Sequence, residues 1–350
     1  MKLNYVFSTE LKHSNIYDDY KDITLFRSLF NIDADAFLVD RTDTISFPFS
    51  ENNIFPMLTT TTTPLSWQEC ADNRVKELVK TGEKLYVMWS GGIDSTLMLI
   101  SFMKHAPNDQ IVVVLNQDSV KEYPRFYKTN ILPSYQILAT EELMLLVGQS
   151  NLFNGLLISA EHADQLVGSP ISDLVVKKLG RTMLGLPYND ENFEKFLLSA
   201  GVPIYHIDIL INIYNMTIEK SPRPIKTMWD LCWWHGFNFK WQTIAMKLAV
   251  RMADPTKLIT FYSSNDFQNT SIQQTGNVLN LKSEFKEIIL DYTLDGNYWK
   301  TKEKFASSTL YYSLSSPAGL TEKWDRIPVR DLNLIDYYNA DNTLRRLINA

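Results

Sequence analysis

Three short apolar runs stand out along the chain: Leu-Tyr-Val-Met-Trp at 85–89, Ile-Val-Val-Val-Leu at 111–115 and Gly-Leu-Leu-Ile-Ser at 155–159. None alternates apolar with polar positions, and the first two are bounded by polar residues on both sides. Runs of this kind suit parallel strands covered on both faces. Residues 94–105 read as a helix that is apolar on most sides and therefore buried, and Thr140 caps a second helix reaching to about residue 147. Strand, helix, strand, helix, strand predicts an α/β fold with an open, mostly parallel sheet. Upstream, Ser66 and Glu69 form a capping-box pattern, so a helix starts there and runs to about Lys80, with Gly82 just past its end. Beyond residue 165 the period becomes helical, over roughly 165–179, 190–200, 204–220, 226–235, 239–253 and 281–292. Residues 1–58 mix short apolar stretches with Asp and Asn and read as strands and turns. Five threonines, Thr59 to Thr63, followed by Pro64 read as a linker. The expected organisation is a small amino-terminal α+β region over 1–64 and one domain over 65–350 with a helical carboxyl-terminal portion.

Bulk composition narrows this only a little. With 350 residues, 45% hydrophobic and 21% charged, the chain has the balance of an ordinary globular protein. A net charge of −6 argues against nucleic acid as the partner. Cys70 and Cys232 are the only cysteines and stand far apart, so neither a disulfide framework nor a zinc spacing can be built. The opening residues lack the apolar core of a signal peptide. Apolar runs such as 97–100 and 111–115 fall far short of the roughly 18 residues that span a bilayer. A cytoplasmic protein without membrane contact is expected; its oligomeric state stays open, a homo-oligomer included.

The chemistry-bearing motif is Ser90-Gly91-Gly92-Ile93-Asp94-Ser95, which follows a strand and opens a helix. Glycines allow positive φ and close approach of the backbone to an anion. Successive amides at a helix start attract that anion, and the helix dipole adds to the attraction. Ser90 and Ser95 bring hydroxyls. Asp94 beside a phosphate is repulsive unless Mg²⁺ lies between them. No Lys follows the glycines, so this is not the Gly-x-x-x-x-Gly-Lys loop, and it is not Gly-x-Gly-x-x-Gly either. The motif resembles the SGGxDS loop of the ATP pyrophosphatases known as PP-loop enzymes, whose fold is that of the adenine-nucleotide α-hydrolases. The resemblance implies that ATP binds here by its pyrophosphate end while a carbonyl oxygen attacks the α-phosphorus. It extends the nucleotide-binding set to Trp89 and Leu115.

Residues 159–168, Ser-Ala-Glu-His-Ala-Asp-Gln-Leu-Val-Gly, follow the third apolar run. They put two carboxylates at the carboxyl end of a buried strand, the edge where open α/β sheets bind ligands. Helix capping alone would also favour acids there. The stretch resembles the SGEGSDELFGG segment of asparagine synthetases and the related β-lactam synthetase. That resemblance implies Asp164 as a ligand of Mg²⁺ and pyrophosphate, Glu161 beside the reacting carbonyl, and Ser159 and Ala160 lining the nucleotide. Ala160 and His162 replace two glycines of the pattern, and Gln165 replaces a second acid.

Residues 302–305, Lys-Glu-Lys-Phe, resemble the Lys-Glu-Gln-Phe segment of the same family, which implies an active-site lysine at Lys302, with Lys304 as the alternative. A cation there would stabilise negative charge developing on an acyl-adenylate under attack. Trp229, Trp233, Trp234 and Trp241, with His235 among them, read either as helix packing or as one wall of an acceptor pocket. Arg223 and Arg251 are candidates for pairing with a substrate carboxylate. Asparagine synthetases carry a glutaminase domain with a leading Cys; here Lys2 follows Met1, so free ammonia or another amine is the expected nucleophile. The expected function is an amide-forming ligase that activates a small carboxylate with ATP and Mg²⁺. NAD- or GMP-synthetase-like amidation and a non-catalytic nucleotide-binding module are the alternatives. tRNA thiolation is disfavoured by the lack of paired cysteines and of a basic surface.

Overall fold

The computed structural model of the chain describes residues 41–42, 44, 63–140, 143, 153–168, 171–199, 204–241, 244, 255–274 and 282–301. The expectations for residues 1–58, for most of the helices at 140–147 and 239–253, and for Lys302 and Lys304 lie outside the described residues.

Helix α1 (Trp67–Val79) starts at the anticipated box: the Ser66 hydroxyl accepts the Glu69 amide at 3.2 Å, and the Glu69 carboxylate accepts the Ser66 amide at 2.8 Å. Strand β1 (Leu85–Met88) leads to α2 (Ile93–His105), and β2 (Ile111–Leu115) to the short α3 (Gln117–Glu122). Next come β3 (Gln136–Ala139) and β4 (Leu156–Ser159). The helical stretch holds α4 (Ala163–Leu166), α5 (Ile171–Leu179), α6 (Asp190–Ser199), α7 (Ile204–Ile218) and α8 (Met228–Trp234). Strand β5 (Leu258–Thr260), α9 (Asn265–Gln273), α10 (Ser283–Thr293) and α11 (Gly296–Thr301) follow.

The chain divides into two compact units. One takes its described residues from Leu65–Glu161, Arg251–Ser264 and Ser283–Ala350 and contains the sheet. All five strands are parallel, in the order β3-β2-β1-β4-β5. The expected open parallel sheet is present. Its three inner strands are the three apolar runs: every residue of β1 and β2 and all but the first of β4 is buried. Helix α2 is buried from Ser95 through Phe102 without a break, and it packs with α1 and α10. From β1 the chain steps outward to β2 and β3, then returns to set β4 on the other side of β1. The order therefore reverses between β1 and β4. In open α/β sheets a ligand crevice lies outside the carboxyl ends of the strands at such a reversal.

The other unit, with described residues from Met1–Pro64, His162–Val250 and Asn265–Lys282, is helical. Its core is aromatic: Trp233, Trp234, Phe237 and Trp241 are all exposed by 1% or less. The Trp233 indole donates to Ser271 Oγ at 2.9 Å, and the Trp234 indole donates to Thr217 Oγ1 at 3.1 Å. The Arg41 guanidinium lies over the Phe237 and Trp241 rings, 4.6 and 4.4 Å from their centres. Such burial makes the tryptophans packing residues. The helix expected over 165–179 is instead two, α4 and α5, with Gly168 between them at φ +78°. The helix expected to start at 226 begins after a Thr227–Asp230 capping box and continues as a π-helical turn, His235–Lys240. Among the described residues no helix is long and apolar enough to cross a membrane.

Candidate functional site

Residues 90–95 join the end of β1 to α2. The parallel pairing runs past the strand, since the Trp89 amide donates to Val114 O at 2.8 Å. The Trp89 ring is fully buried and its indole donates to Thr96 Oγ1 at 3.1 Å, so the side chain braces the loop from within. Ser90 and Ser95 tie the loop to itself. The Ser90 amide donates to Ser95 Oγ at 3.1 Å, the two hydroxyls lie 2.9 Å apart, and Ser95 Oγ donates to Gly92 O at 3.2 Å.

Helix α2 differs at its start from three others. Helices α1, α3 and α8 have reciprocal capping boxes on Ser66, Asn116 and Thr227, whereas Gly92 offers α2 no side-chain cap. The start of α2, at the strand end bordering the topological reversal, thus has no side-chain cap from its N-cap residue.

Gly91 adopts φ +76°, and a Cβ built on it would stand 2.4 Å from Ser119 O and 2.7 Å from Glu122 Cβ. Helix α3, which follows β2, is therefore pressed against the loop. Gly91→Ala should destabilise the fold by about 2–3 kcal/mol, from the left-handed backbone and from overpacking. A urea titration with unchanged m-value would measure the loss. An unchanged midpoint would mean that the loop is not packed this way.

On the adjoining strand end, Ser159 is 5% exposed and its hydroxyl accepts the Glu161 amide at 3.2 Å. Ala160 and Glu161 are half-buried. Leu115, at the end of β2, is fully buried, and its carbonyl accepts the Thr140 amide at 2.9 Å. Residues 90–95, Leu115, Ser159, Ala160 and Glu161 thus lie at the carboxyl ends of three adjacent strands within one unit.

His162 and Asp164 belong to the helical unit. His162 takes φ +77°, a conformation that glycine adopts without strain. Its ring stacks on Trp241 at 4.3 Å, with Nε2 at 3.2 Å from Trp241 O. Burial pushes its pKa down to about 3; the Trp241 carbonyl opposes the fall and the charge of Arg41 adds to it. Asp164 forms an ion pair with Lys282 at 2.5 Å, and both side chains are largely buried. Lys282 carries no motif and was not anticipated from the sequence. Arg223, a candidate for substrate binding, is committed to structure: it donates to Ser271 O, Gln274 O and Asp230 Oδ1 and lies 3.7 Å over Trp233. Arg251 lies outside the described residues.

No protein-family model matches this chain, and no curated protein is detectably similar to it in sequence.

Among the described residues no three His, Cys, Asp or Glu side chains gather to hold a metal by themselves. Mg²⁺ is commonly held by one or two carboxylates with substrate phosphates completing its shell, and a single Asp94 beside an uncapped helix start fits that mode.

Proposed function

We propose that the protein is an ATP-dependent, amide-forming ligase of the PP-loop, asparagine-synthetase-like kind, on an adenine-nucleotide α-hydrolase-like sheet. The observation that carries this reading is the strand order. It brings Ser90-Gly91-Gly92-Ile93-Asp94-Ser95 and Ser159-Ala160-Glu161 to neighbouring strand ends at the reversal point of a parallel sheet. The two motifs are about seventy residues apart in sequence, and the parallel pairing of β1 with β4 sets them side by side.

The amides at the start of α2 and the Ser90 and Ser95 hydroxyls would hold the β- and γ-phosphates of ATP. Asp94 would hold Mg²⁺, which when bound neutralises phosphate charge; the resemblance alone adds Asp164 as a second ligand. A substrate carboxylate oxygen attacks the α-phosphorus, the bond to the bridging oxygen breaks, and pyrophosphate leaves. An amine then attacks the acyl-adenylate carbon, loses a proton and expels AMP. Glu161 would orient that amine or take its proton, and Lys302 would stabilise the developing charge.

One observation favours the non-catalytic alternative. The Asp164–Lys282 ion pair already neutralises the carboxylate that the ligase reading assigns to Mg²⁺. Incubation with ATP, Mg²⁺ and a pool of carboxylic acids and amines separates the readings. Release of pyrophosphate and AMP together is expected of the ligase. ATP binding without either product across the pool would leave the module, and absence of ATP binding would remove both.

A further inference from the structure

Two tyrosines from distant parts of the sequence pack where α2 begins. Tyr262 lies two residues past the end of β5 and is fully buried. Its hydroxyl donates to the backbone carbonyl of Asp94 at 2.7 Å. Its ring stacks on Phe285 of α10 with centres 5.8 Å apart and meets Phe261 edge-on at 5.1 Å. The phenol is thus aimed by packing on two sides. Tyr298 of α11 stacks on Tyr123 at 4.0 Å, and its phenol lies beside Thr96 and Asp94.

In a regular helix the Asp94 carbonyl accepts only the amide four residues on. A second donor from another strand end fixes the axial position and tilt of that first turn. The same turn holds the amides that the ATP reading assigns to phosphate and carries the Asp94 carboxylate.

We infer that Tyr262 is a positioning residue for the phosphate loop, acting through the Asp94 carbonyl to hold the α2 amides in the orientation that receives the pyrophosphate end of a nucleotide. The inference rests on the ATP reading above and adds to it a residue that touches neither phosphate nor metal. Its signature is selectivity along the ligand: the polyphosphate is felt, the nucleoside is not.

Tyr262→Phe keeps the stacked ring and removes only the donor. Titration calorimetry of wild type and Y262F with Mg·ATP, Mg·pyrophosphate and AMP tests the role. The expected result is a Kd about fivefold higher for ATP and pyrophosphate, the size of one net hydrogen bond, with AMP affinity unchanged. Tyr127→Phe is the control, because that buried phenol in the same unit has no hydrogen-bond partner among the described residues; its three affinities should match wild type. Equal ATP affinity in Y262F would overturn the inference. So would an equal weakening of AMP, which would mean general loosening rather than positioning. If wild type binds AMP and ATP equally well and pyrophosphate not at all, the phosphate-loop reading itself fails and takes this role with it.

Discussion

Asp94→Ala should cut pyrophosphate release from ATP by at least about a hundredfold, roughly 3 kcal/mol in transition-state stabilisation, while leaving the protein folded. The two effects separate because of where Asp94 sits. It is half-buried in the first turn of α2, where a carboxylate stabilises the helix by only about 0.3–1 kcal/mol through the dipole. Its backbone carbonyl, which Tyr262 grips, survives the substitution. What disappears is the one carboxylate on the loop, and with it the counter-charge proposed for Mg²⁺ beside the β- and γ-phosphates. The loss should appear as a raised Mg²⁺ requirement as well as a lower rate. A thermal midpoint within a few degrees of wild type would confirm that the fold is intact. Full turnover in the variant would remove residues 90–95 as the site of ATP chemistry.

The sheet was legible where burial is two-sided. β2, β1 and β4 occupy the middle of the order, and a strand covered on both faces must be apolar at every position; hence the runs at 111–115, 85–89 and 155–159. The edge strands were not legible. β3 is Gln-Ile-Leu-Ala with an exposed first residue, and β5 has only three residues, of which one is buried. Neither offers the continuous run or the alternation that marks a strand. Yet β5 completes the sheet beside β4 and carries Tyr262 to the loop, so part of the candidate site was hidden with it. The capping box at Ser66 was readable because it is a local exchange of hydrogen bonds between residues three apart. The Asp164–Lys282 pair was not, since it joins positions more than a hundred residues apart and leaves no pattern at either.

The segment after β4 departs at His162 from the pattern it resembles. The resemblance puts glycine where this chain has His162. The backbone there is left-handed at φ +77°, which explains in physical terms why glycine suits the position. The chain keeps that conformation with a histidine, at a cost of about 1–2 kcal/mol. The stack on Trp241 and the bond to its carbonyl offset that cost. The side chain also ties the residue after Glu161 into the aromatic core of the helical unit.

Lowering the pH from about 6.5 to 4.5 should weaken the fold by about 2 kcal/mol through His162 alone, with His235, also buried in the helical unit, adding in the same direction. His235 is 1% exposed, with Nδ1 at 2.7 Å from the Tyr214 hydroxyl of α7 and the Phe239 ring 5.8 Å away. Burial, and after it the charge of Lys240, holds its pKa well below the ordinary value; His162 falls to about 3 for the reasons given above. In the unfolded chain both take a proton near pH 6.5. Between the folded and unfolded values the unfolded state therefore binds more protons, so stability rises with pH in that window. It is fully present above about 6.5 and is lost as pH falls, at up to about 1.4 kcal/mol per pH unit for each histidine. Glu69 and Glu191 have depressed values and act in the same direction, but below their ordinary range near 4.5, outside this window. Urea titrations at intervals between pH 4.5 and 7 give the slope directly. His235→Gln should make it shallower, because one of the two suppressed protonations is gone, while at pH 7 the variant loses contacts such as those with Tyr214 and Phe239. Parallel stability curves for wild type and variant would show that His235 titrates alike in both states, and that the core around Trp234 and Tyr214 admits water.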